Sequence, residues 1–246
     1  MSGIYAPIAG LEERQKEMRC GVALALGLSL GFSLVHCAAL PRPLALPDDG
    51  QATVAVFSEA LPHSMSGIGR HSWIAGRGRG ARTFRRFEVL GEAHIAQGDP
   101  FRPQCGCGRD TPEDADVRMH AVVHGPEAEK VIACLERETK RYNEEYDYGF
   151  WPGPNCNTYV AMMARRCGIS VELPSTANGR DYRGIVGAGV TSGGTGLAFE
   201  TPLVGLKLGL KEGIEVHLFG AALGIDFWPP AIIVPVGPGR IGFDDR

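Results

Sequence analysis

Short alternating apolar stretches, broken by glycine and proline, run along most of the chain, with two stretches of helical period between them. "ATVAVFSEA", from Ala52, predicts a first strand. "HSWIAG", from His71, and "TFRRFEVLG", from Thr83, alternate with period two and predict two strands joined through "RGRGA". Residues 92–118 hold prolines, glycines and charges without a period, which predicts a long irregular connection. "PEAEKVIACLERETKRY" opens on Pro126 with early glutamates and sets Val131, Cys134 and Leu135 on one face, the pattern of a surface helix. A second helix is expected from Cys156, since Val160, Met163 and Cys167 fall on its side at helical spacing. Beyond the loop "LPSTANGRDYRG", the stretch "GAGVTSGGTG" lacks dinucleotide-binding spacing and reads as a flexible connection. "LVGLKLGLKEGIEVHLFGAALGIDF" alternates like a strand pair turned at "KEG", and "PPAIIVPVGPGRIG" reads as a proline-interrupted edge or strap. The elements add up to an α+β fold: a mostly antiparallel sheet, two main helices, and a C-terminal β-hairpin region that extends or closes the sheet.

One segment stands outside this pattern. Residues 21–40, "GVALALGLSLGFSLVHCAAL", are apolar apart from His36 and Cys37, and about twenty such residues can cross a bilayer as a helix. The segment predicts an N-terminal membrane helix or a signal segment, with the anchor preferred. Translation from Met18 rather than Met1 would give an ordinary signal, with Ala38 and Ala39 at its cleavage site. A buried hairpin of the body is the remaining reading of the run. Residues 1–40 thus form an N-terminal segment, 41–51 a proline-rich linker, and 52–246 a single α+β domain. The expected partner is the membrane, through residues 21–40, and the expected location is the bacterial inner membrane or periplasm.

Composition narrows the class. Glycine (34) and proline (17) favour strands and turns over a helical bundle, and 44% apolar residues supply a core. A formal charge of -3 gives no electrostatic reason to expect nucleic acid, and the basic run over residues 76–86 reads as a solvated hairpin tip. Cys20 and Cys37 flank the apolar segment, leaving Cys105, Cys107, Cys134, Cys156 and Cys167 in the body. An odd number leaves at least one thiol free or paired between molecules.

The chemistry centres on "WPGPNCNTYV", from Trp151. Asn155 is placed to cap the helix, which puts Cys156 in its first turn, where backbone N–H groups and the helix dipole favour a thiolate. Burial as a plain hydrophobe is the competing reading of Cys156. His71 is the best of seven histidines to serve as its base. If the first hairpin folds symmetrically about Arg79 and Gly80, Glu88 lies opposite His71 and orients the imidazole, with His94 a weaker candidate. Trp73, Trp151, Asn155 and Asn157 are the expected substrate-binding residues, with Trp151 walling a cleft. A rival constellation, Cys105, Cys107, His120 and His124, has the interval of a zinc finger. Its C-x-C is too tight and it lacks the apolar residues a finger buries, so no metal and no cofactor are expected. Glu144, Glu145 and Asp147 read as a solvated acidic loop rather than an acid/base pair.

"HSWIAG", "FEVLG", "WPGPNCNTYV", "LPSTANGRDY" and the glycine-rich C-terminal block, in that order over about residues 53–242, resemble a bacterial family, domain of unknown function 3750. That resemblance implies membrane association at the N-terminus and no established activity. More distantly, histidine on an early strand followed by "NC" at a helix start is similar to the circularly permuted papain-like fold of NlpC-type hydrolases and the lecithin–retinol acyltransferase type. This implies Cys156 as nucleophile and His71 as base. Many members of the unknown-function family carry serine in the slot of Cys156, which cannot act as a low-pKa thiolate, so the resemblance does not imply catalysis as the family's common role.

Two functions follow as expectations. One is a membrane-associated thiol hydrolase or acyltransferase using Cys156, His71 and Glu88 on amide or acyl bonds of a cell-wall peptide or lipid substrate. The alternative is a non-catalytic envelope domain that binds a ligand or partner in the same cleft.

Overall fold

A computed structural model describes residues 44–61, 67–103 and 116–243 of the chain. The expected membrane or signal segment at 21–40 lies outside these residues, as do Cys105 and Cys107. Among the described residues, no helix is long and apolar enough to cross a membrane. The chain divides into two units, Met1–Pro43 and Leu44–Arg246, and the described residues all belong to the second.

The class is α+β. Five strands come first: β1 (Thr53–Ala60), β2 (Arg70–Arg77), β3 (Phe84–Val89), β4 (Ala93–Gly98) and β5 (Val117–His124). They form an antiparallel sheet in the order β4-β3-β2-β1-β5, with β1 flanked on both sides and almost wholly buried. The expected irregular connection over 92–118 is therefore corrected at both ends, because β4 and the start of β5 take up part of it. Both are edge strands with mixed burial, so neither carries the clean alternation that a half-buried strand writes into sequence.

Two helices cover one face of this sheet. α1 (Pro126–Glu145) starts after Gly125, whose φ of 74° suits glycine, and Glu127 and Glu129 sit favourably in its first turn. Its buried stripe includes Val131, Ile132, Leu135 and Tyr142. α2 (Cys156–Cys167) ends at Gly168 in the left-handed conformation, with Arg165 and Arg166 in the last turn. Both helices meet Val54, Val56, Ile74 and Phe87 of the sheet in the main core. Each fully buried side chain of this kind contributes roughly 1.5–3 kcal/mol. The helices are joined by a disulfide between Cys134 and Cys167. A smaller cluster, with Phe57 and Trp73, fills the other face.

The C-terminal region departs furthest from expectation. It is a separate sheet, not an extension of the first: a seven-stranded antiparallel meander in sequence order. Its strands are β6 (Gly187–Val190), β7 (Gly196–Glu200), β8 (Val204–Gly209), β9 (Gly213–Leu218), β10 (Ala221–Asp226), β11 (Ala231–Ile233) and β12 (Arg240–Gly242). The stretch expected as a flexible glycine-rich connection is the β6–β7 hairpin, whose turn is held by Thr191 and by Glu212, which accepts from the Gly193 N–H. Alternation is regular in β8 and β9, but inverted. Lys207, Glu215 and His217 point inward and are buried, while Leu206, Ile214 and Val216 face out.

Candidate active site

α2 begins where its sequence says it should. Asn155 is extended, and its Oδ1 accepts the N–H groups of Asn157 (3.0 Å) and Thr158 (3.1 Å). The cap leaves the N–H of Cys156 as the first-turn donor it does not consume. Asn155 Nδ2 donates to the carbonyls of Phe150 and Asn178, both at 3.1 Å, which ties two loops to the helix start.

The other half of the site comes from the β2–β3 hairpin. Its register sets Ile74 opposite Phe87, two residues from the symmetric pairing expected for His71 and Glu88. A two-residue shift keeps every side chain on its face, whereas a one-residue slip would not. Glu88 is therefore diagonal to His71 rather than opposite, and still reaches it: His71 Nε2 lies 3.1 Å from Glu88 Oε2. That leaves Nδ1 as the ring nitrogen available to a second partner. The partner is Cys156, which shares a hydrogen bond with His71 and also accepts the backbone N–H groups of Ser72 and Asn157.

The electrostatics follow from this packing. Burial works to raise the Cys156 thiol, but the hydrogen bond and charge of His71, helped by those two N–H groups, hold its pKa below the ordinary value. Burial likewise works against a charged His71, but Cys156 and Glu88 outweigh it and raise its pKa from 6.5 to about 9. Each shift has the other residue among its causes. Both shifts act in the same direction and favour the thiolate–imidazolium form of the pair.

Cys156, His71 and Glu88 are thus brought together, and the substrate-binding expectations divide. Trp73 is corrected: it is fully buried, donates from Nε1 to the Pro100 carbonyl at 2.9 Å and stacks on Phe57. It also lies flat against His71, with ring centroids 6.1 Å apart, and so supports the imidazole from behind rather than touching a ligand. Asn155 is corrected too, because the cap and the loop carbonyls occupy its buried amide. Asn157 is buried, with Nδ2 donating to Arg70 and Asn178 carbonyls at 2.9 Å, while its Oδ1 has no hydrogen-bond partner. Trp151 is half exposed, with its indole N–H on the Phe219 carbonyl, and is the one member of the set that presents a surface. Two tyrosines had no signal in the sequence: buried Tyr142 and half-exposed Tyr148, whose pKa values are raised by burial and then by the charge of Cys156. His94 is exposed opposite Glu88.

Residues 51–182, which hold the first sheet, both helices and the three site residues, match a family of proteins of unknown function, DUF3750. The chain belongs to that family. The match ends before β6, so the DUF3750 region covers the thiol site and not the seven-stranded sheet, a narrower span than the sequence blocks suggested. No curated protein and no solved structure matches the chain.

The remaining polar clusters have structural partners. His120 bonds Ser58 Oγ at 2.7 Å, and His124 lies 3.1 Å from Thr53 and 3.0 Å from Asp49, all on a strand rather than the helix of a zinc finger. Glu144 and Glu145 close α1 instead of forming a loop, and Glu145 pairs with Arg141 and Arg166. Asp181, Glu215 and His217 bring potential ligand atoms within 4.8 Å of one another. However, Lys207 Nζ sits 2.7 Å from Asp181 and 3.3 Å from Glu215, and Arg180 also pairs with Glu215. Two cations already neutralise this cluster. Burial opposes charge on His217, but Glu200 and Glu215 raise its pKa to about 9. Cavities of about 430 and 450 Å³ are lined by residues 170–175 and by Asp181 and Lys207 respectively; neither is lined by Cys156 or His71.

Proposed function

We propose that this DUF3750 protein is a thiol hydrolase or acyltransferase acting on amide or acyl bonds at the bacterial envelope. The observation that carries the reading is the Cys156–His71–Glu88 chain, with the thiol lowered and the imidazole raised by each other. In the first half-reaction the Cys156 thiolate attacks the carbonyl carbon and forms a C–S bond. The Cys156 N–H, which the Asn155 cap leaves unused, is the α2 donor for the developing oxyanion. The C–N or C–O bond breaks, and His71 gives its proton to the departing amine or alcohol. Water, or an acceptor amine or alcohol, then attacks the thioester while His71 takes the proton back and thiolate leaves. Glu88 holds the ring and its charge. The order of histidine and cysteine along the chain, similar to permuted papain-like proteins, agrees with these roles as a fold-level analogy.

Residues 21–40 would attach the protein to the membrane. An oxidising compartment accords with the Cys134–Cys167 disulfide, since such bonds persist outside the cytosol. The second reading, an envelope domain that binds without turnover, draws on the cavities of about 430 and 450 Å³, which Cys156 and His71 do not line. Acyl trapping separates the two. The full chain is incubated with a short-chain p-nitrophenyl ester, and peptide mass spectrometry reads an acyl adduct on Cys156. The enzyme reading expects the adduct, its loss in Cys156→Ser and its marked slowing in His71→Ala. No adduct and no release of nitrophenol from the folded chain would leave only the binding reading.

A further inference from the structure

The outer face of the seven-stranded sheet is the least explained surface of the molecule. One row crosses it through every strand by direct pairing: Val190, Leu197, Leu208, Ile214, Ile225, Ile232 and Ile241. A second row runs from Phe199 through Leu206 and Val216 to Leu223. These side chains are exposed, Leu197 by 70% and Leu223 by 60%, and no charged residue of the described strands points to their side. Seven strands about 4.8 Å apart, roughly 17–20 Å long at β7 to β10 and shorter at the others, make an apolar patch of roughly 400–500 Å². A patch of this size lies within the range of about 300–600 Å² found for the largest apolar patch of soluble monomers, and such patches are often functional.

We propose that this face rests on the acyl-chain region of a phospholipid bilayer. Three observations favour lipid over a protein occupant. The face carries no hydrogen-bonding side chain in either row, whereas protein interfaces hold about one direct hydrogen bond per 100–200 Å² and are enriched in tyrosine and arginine. The backbone of the five inner strands, β7 to β11, is paired on both sides, which a lipid contact requires, and the open edges fall at β6 and β12, the rims of the patch. At one end of the sheet Phe227, Trp228 and Phe243 are half exposed or more, the placement of aromatic rings at a lipid–water boundary. The twenty-residue apolar run 21–40 also ends four residues before the described unit begins at Leu44, so the same chain carries a second element suited to a bilayer.

The inward face explains how such a sheet holds together. Its Glu200, Lys207, Glu215, His217 and Asp226 are paired with one another, with Arg180 and Asp181, or with Arg240. Polar side chains attach the sheet to the body, and apolar ones are left for the bilayer. The arrangement does not depend on the thiol chemistry proposed above.

The test uses the full chain reconstituted into phosphatidylethanolamine–phosphatidylglycerol vesicles doped with a phospholipid bearing a diazirine in its acyl chain. After irradiation, lipid adducts are mapped by peptide mass spectrometry. The proposal expects adducts on peptides spanning residues 197–225 and none on the exposed face of α1 around Glu136. Absence of adducts from 197–225 in vesicle-bound protein overturns it. A companion chain carries a photoreactive benzophenone residue in place of Val216, or of Leu206 if the first folds poorly. Phospholipid as its main adduct supports the proposal. Crosslinking to a second copy, or to a peptide from 21–40, overturns it and identifies the true cover.

Discussion

Glu88 and His71 meet inside the protein at 3.1 Å, the carboxylate fully buried and the imidazole nearly so. Glu88→Gln keeps the shape and removes the charge. The His71 pKa is then expected to fall by about one unit or more, and stability to drop by about 1–3 kcal/mol. NMR titration of the His71 ring checks the first; denaturant unfolding checks the second. An unchanged titration would mean that Cys156 alone sustains the imidazolium.

Cys156 is expected to alkylate well below pH 8.5, the unperturbed thiol value, because His71 and two backbone N–H groups favour its thiolate. His71→Ala moves the labelling profile towards ordinary thiol behaviour. Among the described residues Cys156 is the free cysteine, but Cys105 and Cys107 need resolving by peptide mass spectrometry. Labelling of Cys156 no faster than in unfolded chain, and indifferent to His71→Ala, contradicts an activated thiol.

Stability should depend on pH through His217. Its folded pKa of about 9 lies above the unfolded 6.5, so its contribution is complete below 6.5 and is lost as pH rises through 9. Glu200→Gln removes the partner at Nδ1 and flattens this loss, which is on the order of 1–3 kcal/mol at most. His71 titrates in the same window, so the effect is read as the difference between the two unfolding profiles. Parallel profiles would rule out His217 as a contributor.

The Cys134–Cys167 disulfide closes a loop with a sequence separation of 33 and ties α1 to the end of α2. Replacing both by serine should cost about 2–4 kcal/mol, largely through a freer unfolded chain. Cys156 should keep its labelling profile in that variant, because its partners are at the opposite end of α2. A shared loss of both would show that the disulfide also positions the thiol.

Much of this site could be read from residue order alone. Asn155 before Cys156 announced a capped helix start, and His71 at the head of an alternating run announced a strand histidine. The Glu88 partnership was legible only up to register, since the hairpin is two residues from symmetric and the face survived because the error was even. The substrate residues were not legible. Trp73 and Asn157 look available in one dimension, and only packing shows them buried. In the second sheet, alternation revealed strands but not which set of side chains faces in. Lys207, Glu215 and His217 are buried because opposite charges meet them across the interface, and no local pattern encodes that meeting.

The thiol of Cys156 owes its acidity to residues from a distant strand, and the timing of that debt matters while the protein matures. In a newly made chain that has not yet joined β2 to α2, Cys156 is an ordinary cysteine, mostly protonated at neutral pH. It then has no advantage over Cys134 or Cys167 as an attacking sulfur while their bond is being formed. Its nucleophilicity arrives only with tertiary structure, by which point α2 already holds it against His71 and half out of solvent. An acidity supplied by tertiary contacts thus gives Cys156 no head start over the other thiols of the described body until β2 and α2 meet.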